Sequence, residues 1–68
     1  MKSTQTIDLG CANGWSMKAR QLFNDLEKIK IEGSQRSRNI SNCYNEYSFD
    51  VIEDNVIATV IYTIDSGD

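Results

Sequence analysis

The sequence predicts a small α+β domain in which one amphipathic helix lies on one face of a three-stranded sheet. Three observations carry that reading. The stretch Tyr44 to Asp65 holds two β-rich runs on either side of Asp54-Asn55, residues 15 to 31 repeat apolar side chains at helical spacing, and the opening residues alternate polar and apolar. A chain of 68 residues makes one domain, spanning positions 1 to 68, and buries only about 60% of the surface its unfolded form exposes.

Taken in order, Lys2 to Leu9 reads as a short edge strand, with Gln5, Ile7 and Leu9 on one side and Thr4, Thr6 and Asp8 on the other. Gly10 to Gly14 is a turn, and Asn13 is placed to cap the helix behind it. No Lys-Ser or Lys-Thr pair follows the second glycine, so the turn is not a phosphate loop. From Trp15 to Ile31, the residues Trp15, Ala19, Leu22, Phe23, Leu26 and Ile29 fall on one helical stripe, while Lys18, Arg20, Asp25, Glu27, Lys28 and Lys30 take the outer face. Gly33 is a natural stop. Ile29-Lys30-Ile31-Glu32 also alternates with a period of two, so the chain can leave the helix early. Gly33 to Asn42 is a polar connector that carries Arg36 and Arg38, which point the same way if the segment is extended.

Asp54 and Asn55 both tolerate the left-handed backbone of a tight turn, and a two-residue loop sets the register of everything around it. Glu53 then faces Val56, Val51 faces Ala58, Phe49 faces Val60 and Tyr47 faces Tyr62. One surface of the hairpin is Tyr47, Phe49, Val51, Val56, Ala58, Val60 and Tyr62; the other is Glu46, Ser48, Asp50, Ile52, Ile57, Thr59, Ile61 and Thr63. A three-residue turn would instead bring Ile57 and Ile61 inward. The run from Val56 to Ile64 carries no charge, which suits a central strand. The expected architecture is therefore βαββ with an antiparallel-type sheet of order 1-3-2, a right-handed crossover from the first strand to the second, and the helix over Tyr47, Phe49 and Val60. Phe49, Val60, Leu22 and Leu26 should form the centre of the core.

Several chemistries find no support in the residues. Histidine is absent, which removes the usual general base and the commonest metal ligand. Cys11 and Cys43 are too few for a secreted disulfide scaffold and read as reduced thiols. Cys11, close to the expected helix start, is the only candidate for an activated thiol, but it has no base beside it. Glu53 and Asp54 lie at the opposite end of a strand from Asp65 and Asp68, too far apart to act as a pair. No enzymatic activity, metal or other cofactor is expected. No apolar run approaches the roughly 20 residues that span a bilayer, and the polar start lacks the core of a signal peptide. A cytoplasmic protein is the expectation, which makes the Asn39-Ile40-Ser41 sequon incidental.

The net charge of -3 is unevenly laid out, because all seven basic residues lie in the first 38 positions and the last 30 hold Glu46, Asp50, Glu53, Asp54, Asp65 and Asp68 with no cation. Such asymmetry suggests a charged partner. Glu46, Asp50, Glu53 and Asp54 would meet a protein with a basic surface, for instance one that handles nucleic acid, while Ile52, Ile57 and Ile61 on the uncovered sheet face supply the apolar centre that interfaces need. The expected function is thus a small protein-binding module, an inhibitor of the kind phages and mobile elements encode. Two alternatives remain: a homodimer that pairs the same three isoleucines, and a nucleic-acid binder using Lys18, Arg20, Arg36 and Arg38. Direct nucleic-acid binding by the sheet is disfavoured, since its aromatics belong to the face the helix covers and the charges beside them are acidic.

Overall fold

Asp54 and Asn55 set the geometry of the hairpin: both adopt positive φ, 53° and 65°, the mark of a type I′ turn whose twist matches that of its flanking strands. The computed structural model describes residues 4–66, so Lys2 and Ser3 of the expected first strand, and the carboxylate of Asp68, lie outside the described residues. The elements are β1 (Thr4–Cys11), a single 3-10 turn (Ala12–Gly14), α1 (Met17–Glu27), β2 (Arg36–Ser41), β3 (Tyr44–Glu53) and β4 (Val56–Asp65). Across the turn, Glu53 pairs with Val56, Val51 with Ala58, Phe49 with Val60 and Tyr47 with Tyr62. That is the two-residue register, and the three-residue alternative is excluded.

The sheet departs from the three-stranded 1-3-2 expectation. It is mixed and four-stranded, in the order β1-β4-β3-β2, with β1 parallel to β4 and the other neighbours antiparallel. The additional strand, β2, comes from the polar connector. Its residues are exposed throughout, so no apolar alternation marks it; it is held by backbone pairing to β3, which would otherwise leave a row of unmatched amide and carbonyl groups. Asn39 secures the hairpin between them by donating to the carbonyls of Ser41 (2.9 Å) and Tyr44 (3.3 Å) and to Asn45 Oδ1 (3.0 Å).

α1 is shorter than the expected 15 to 31. Ser16, not Asn13, caps it, accepting from the Ala19 amide at 3.2 Å. Asn13 instead reads the end of β4: its side-chain nitrogen donates to the Asp65 carbonyl and its oxygen accepts from the Asp65 amide, both at 2.9 Å. At the other end the chain leaves the helix where its alternation changes. Lys30 bridges Val51, the Ile31 amide donates to the Asp50 carbonyl (2.8 Å), and the Ile52 amide donates to the Ile29 carbonyl (3.3 Å). The outer edge of β3 is thereby shared, with residues 29–31 covering one half and β2 the other. Ser34 fills the junction, its hydroxyl accepting from the Asp50 amide at 3.0 Å.

The core is Leu26, Phe49, Val51, Ala58 and Val60, flanked by Ile7, Leu9, Phe23, Ile29 and Tyr62. Phe49 and Val60 are 0% exposed. Leu22, expected at the centre, is 45% exposed, because α1 turns Phe23 and Leu26 to the sheet and carries Leu22 to its flank. In β1 the pairing with β4 slips at Leu9, where Asp8 Oδ1 accepts from the Gly10 amide (2.9 Å) and Gly10 takes φ 72°, a conformation that favours glycine. The Leu9 carbonyl then receives the Trp15 indole nitrogen at 2.8 Å. Among the described residues no helix is long and apolar enough to cross a membrane.

Candidate functional site

The two faces of the sheet divide the residues that the sequence singles out. Glu46, Asp50, Ile52, Ile57 and Ile61 lie on the face without a helix, whereas Glu53, opposite Val56, belongs to the helix side and Asp54 to the turn itself.

On the open face the acidic row of β3 meets the arginines of β2. Strand pairing puts Arg38 opposite Glu46 and Arg36 opposite Ser48. Arg38 Nη2 lies 3.2 Å from Glu46 Oε1, and Arg36 Nη2 donates to Asp50 Oδ1 at 3.0 Å. The same Asp50 oxygen accepts from Thr59 Oγ1 at 3.0 Å. A polar bar, Arg36-Asp50-Thr59, therefore crosses the face between Ile57 and Ile61. The three isoleucines do not form the single patch expected of them: Ile52, 46% exposed, stands directly opposite Ile57 near the hairpin tip, while half-buried Ile61 lies beyond the bar, opposite Ser48. The acidic and basic halves of the sequence thus neutralise each other at Glu46 and Asp50. The cue was present in the matched two-residue spacing of Arg36 with Arg38 and of Glu46 with Ser48 and Asp50 around the turn at Asn42-Cys43, but only strand pairing gives that spacing meaning.

On the helix side, the side chains shrink towards the turn. The facing pairs run Tyr47-Tyr62, Phe49-Val60, Val51-Ala58 and Glu53-Val56. At the wide end the rings of Trp15, Phe23 and Tyr62 meet at centroid distances of 5.1 to 5.6 Å, and Tyr47 stacks on Tyr62 at 5.5 Å. At the narrow end α1 has already ended, and a cleft of about 310 Å³ opens over Val51, Val56 and Ala58. Ile7, Leu26 and Ile29 wall it, and Gln5, Glu53 and Asp54 stand at its mouth. Among the described residues no ion pair reaches Glu53 or Asp54. The sequence did not announce this cleft, although Ala58 is the one small side chain on the predicted inner face of the hairpin.

The far end of the sheet gathers Cys11, Cys43, Tyr44 and Asp65. Both cysteines are free thiols. Cys11 ends β1 rather than preceding α1, and its thiol donates to Asn13 Oδ1 at 3.5 Å. A hydrogen bond to Asp65 pushes the Cys43 thiol pKa up, and Cys11 and Asp65 do the same to the Tyr44 phenol through charge repulsion. Both shifts favour the neutral form, the reverse of an activated nucleophile. Glu53 and Asp54 stand at one end of β4 and Asp65 at the other. No cluster of three or more potential metal-ligating side chains occurs among the described residues.

Comparison with family models, with curated proteins and with solved structures finds no match to this chain.

Proposed function

We propose that this chain is a protein-binding module that acts by occupying a basic surface of its partner through the hairpin tip. One observation carries the reading: at the tip the exposed Ile52, with half-buried Ile57 opposite it, adjoins two carboxylates, Glu53 and Asp54, that no cation of the described residues engages. An apolar centre with a charged rim is the usual anatomy of a contact surface, and unpaired rim charge steers encounter with a partner of opposite sign. Glu46 and Asp50 keep a secondary part, since Arg38 and Arg36 already screen them. The narrower class, an inhibitor of the phage or mobile-element kind that covers a nucleic-acid-handling protein, draws its support from the chain's size and from this anionic tip. In that class the module works by exclusion, holding the site its partner needs for nucleic acid.

The test compares what the parent, Ile57→Glu and Glu53→Lys retain from a lysate of the cell in which the protein acts. A single basic protein held by the parent and lost from both variants is the expected result. Equal retention by all three removes the tip from the account.

A second reading, a homodimer through the open face, is favoured by the exposure of Ile52 beside Ile57. Light scattering over a hundredfold concentration range separates the two, because self-association raises the mass with concentration and Ile57→Glu abolishes the rise. Of the four cations a nucleic-acid reading uses, Arg36 and Arg38 are engaged by carboxylates, which leaves that alternative to Lys18 and Arg20 on α1.

A further inference from the structure

We propose that the cleft beside the hairpin tip receives a lysine or arginine side chain of the protein partner, an inference that rests on the reading of a basic partner surface given above. The cleft offers what each half of such a side chain requires. Leu26, Ile29, Ile7 and Ala58 form an apolar wall along which a methylene stem can pack, and Glu53 and Asp54 stand at the mouth where the charged head stays both hydrated and paired. At about 310 Å³ the space lies at the small end of ligand pockets, about 300 to 1,000 Å³. It suits one long side chain.

Charge selects the occupant. A wholly apolar group would press hydrocarbon against two carboxylates and strip their water, and an anion would be repelled. A compact cation such as a metal ion would gain nothing from the apolar wall, so a long aliphatic stem with a cationic end matches best. The chain's own cations on the segment that leaves α1 are turned elsewhere: the Lys30 ammonium sits 5.5 Å from the centre of the Phe49 ring, and Lys28 lies 3.9 Å from Asp25. The cleft exists because the inner face of the hairpin tapers to Ala58 just where α1 stops and the chain crosses to the edge of β3.

Two capped pentapeptides test the proposal without the partner in hand, one with a central lysine between glycines and one with norleucine in its place. The readout is the methyl spectrum of the labelled protein, in which Ile7, Leu26, Val56 and Ala58 report the cleft and Ile52, Ile57 and Ile61 report the open face. The expected result is a shift of the cleft methyls alone, with the lysine peptide binding about tenfold more tightly than the norleucine peptide, the most that two solvent-exposed charge pairs allow. The double variant Glu53→Gln with Asp54→Asn should erase that preference while remaining folded, because Asn tolerates the φ of 53° at position 54 as well as Asp does. Equal binding of the two peptides, shifts confined to the open-face isoleucines, or no shift with either peptide overturns the proposal. So does a concentration-dependent dimer that shifts the cleft methyls without peptide, since the occupant would then be a second copy. Because the peptides do not depend on the open face, their failure beside a partner that Ile57→Glu loses would sink the cleft and leave the tip reading standing.

Discussion

The two faces of one sheet solve the problem of covering a strand surface in different ways. On the helix side, Phe49, Val51, Ala58 and Val60 are buried beneath Leu26 and an aromatic cluster, so hydrophobic burial holds the fold. On the open side the described residues supply no second layer. There, Arg36, Asp50 and Thr59 span β2 to β4 with bonds of 3.0 Å, and half-buried Ile57 and Ile61 are shielded by neighbouring side chains. One register, set by two left-handed residues, decides both surfaces, and a face need not be apolar to be ordered. The buried core and the polar bar of the open face are separated by residue parity along β3 and β4.

The sharpest way to break that division is to empty the covered face. Phe49→Ala removes a fully buried ring and should cost about 3 to 5 kcal/mol, against a total stability of roughly 5 kcal/mol for a domain this size. Circular dichroism of the variant at room temperature should therefore show a largely unfolded chain; a cooperative melt near the parent midpoint would mean that the core centre lies elsewhere. On the open face the most consequential single residue is Asp50, whose carboxylate joins three strands. Asp50→Ala should cost about 1 to 2 kcal/mol by denaturant titration, and a loss as large as that of Phe49→Ala would erase the contrast between the faces.

That role of Asp50 marks the boundary of what was legible in the residues. The turn at Asp54-Asn55, the two-residue register, the central place of β4 and the face that meets the helix all follow from local rules, because the period of two and the conformational taste of Asp and Asn act over a few positions. Even the early departure of Ile29-Lys30-Ile31 from the helix showed in its alternation. What was hidden is non-local. β2 has no apolar pattern, being an exposed edge, so its existence depends on the backbone needs of β3 rather than on its own composition. Once β2 is absent from the picture, Glu46 and Asp50 look like a bare acidic surface instead of the partners of Arg38 and Arg36. The same gap hid the split of the isoleucine patch and the cleft, which depends on where α1 ends.

Alkaline pH loosens the covered face more gently. Burial lifts the Tyr62 phenol above its ordinary pKa of 10.0, with repulsion from Glu27 and Tyr47 adding to it and a Gln35 hydrogen bond opposing it. Below about pH 10 the phenol is neutral in both folded and unfolded chains; above it the unfolded chain ionises first, so the folded state holds more protons and stability falls as pH rises. Tyr44 and Cys43, also raised, act with the same sign, Cys43 from its ordinary value of 9.0 upward. Thermal melts from pH 8 to 11 should fall along this limb, and Tyr62→Phe should flatten it without removing it. An unchanged limb would place the titrating group outside the aromatic cluster. The smallest effect belongs to Arg38→Ala, whose exposed pair with Glu46 should contribute under about 1 kcal/mol; a larger loss would show β2 to be held by its charges rather than by its backbone.

The claim that the covered face folds the chain while the open face at the tip is spare for contact is tested most directly by the thermal midpoint of Ile57→Glu. The account predicts a cooperative melt lowered by only about 4 to 8 °C, the shift that roughly 1 kcal/mol produces in a domain of this size. An Ile57→Glu chain that is unfolded at room temperature, as Phe49→Ala is expected to be, would contradict it and make the open face part of the core.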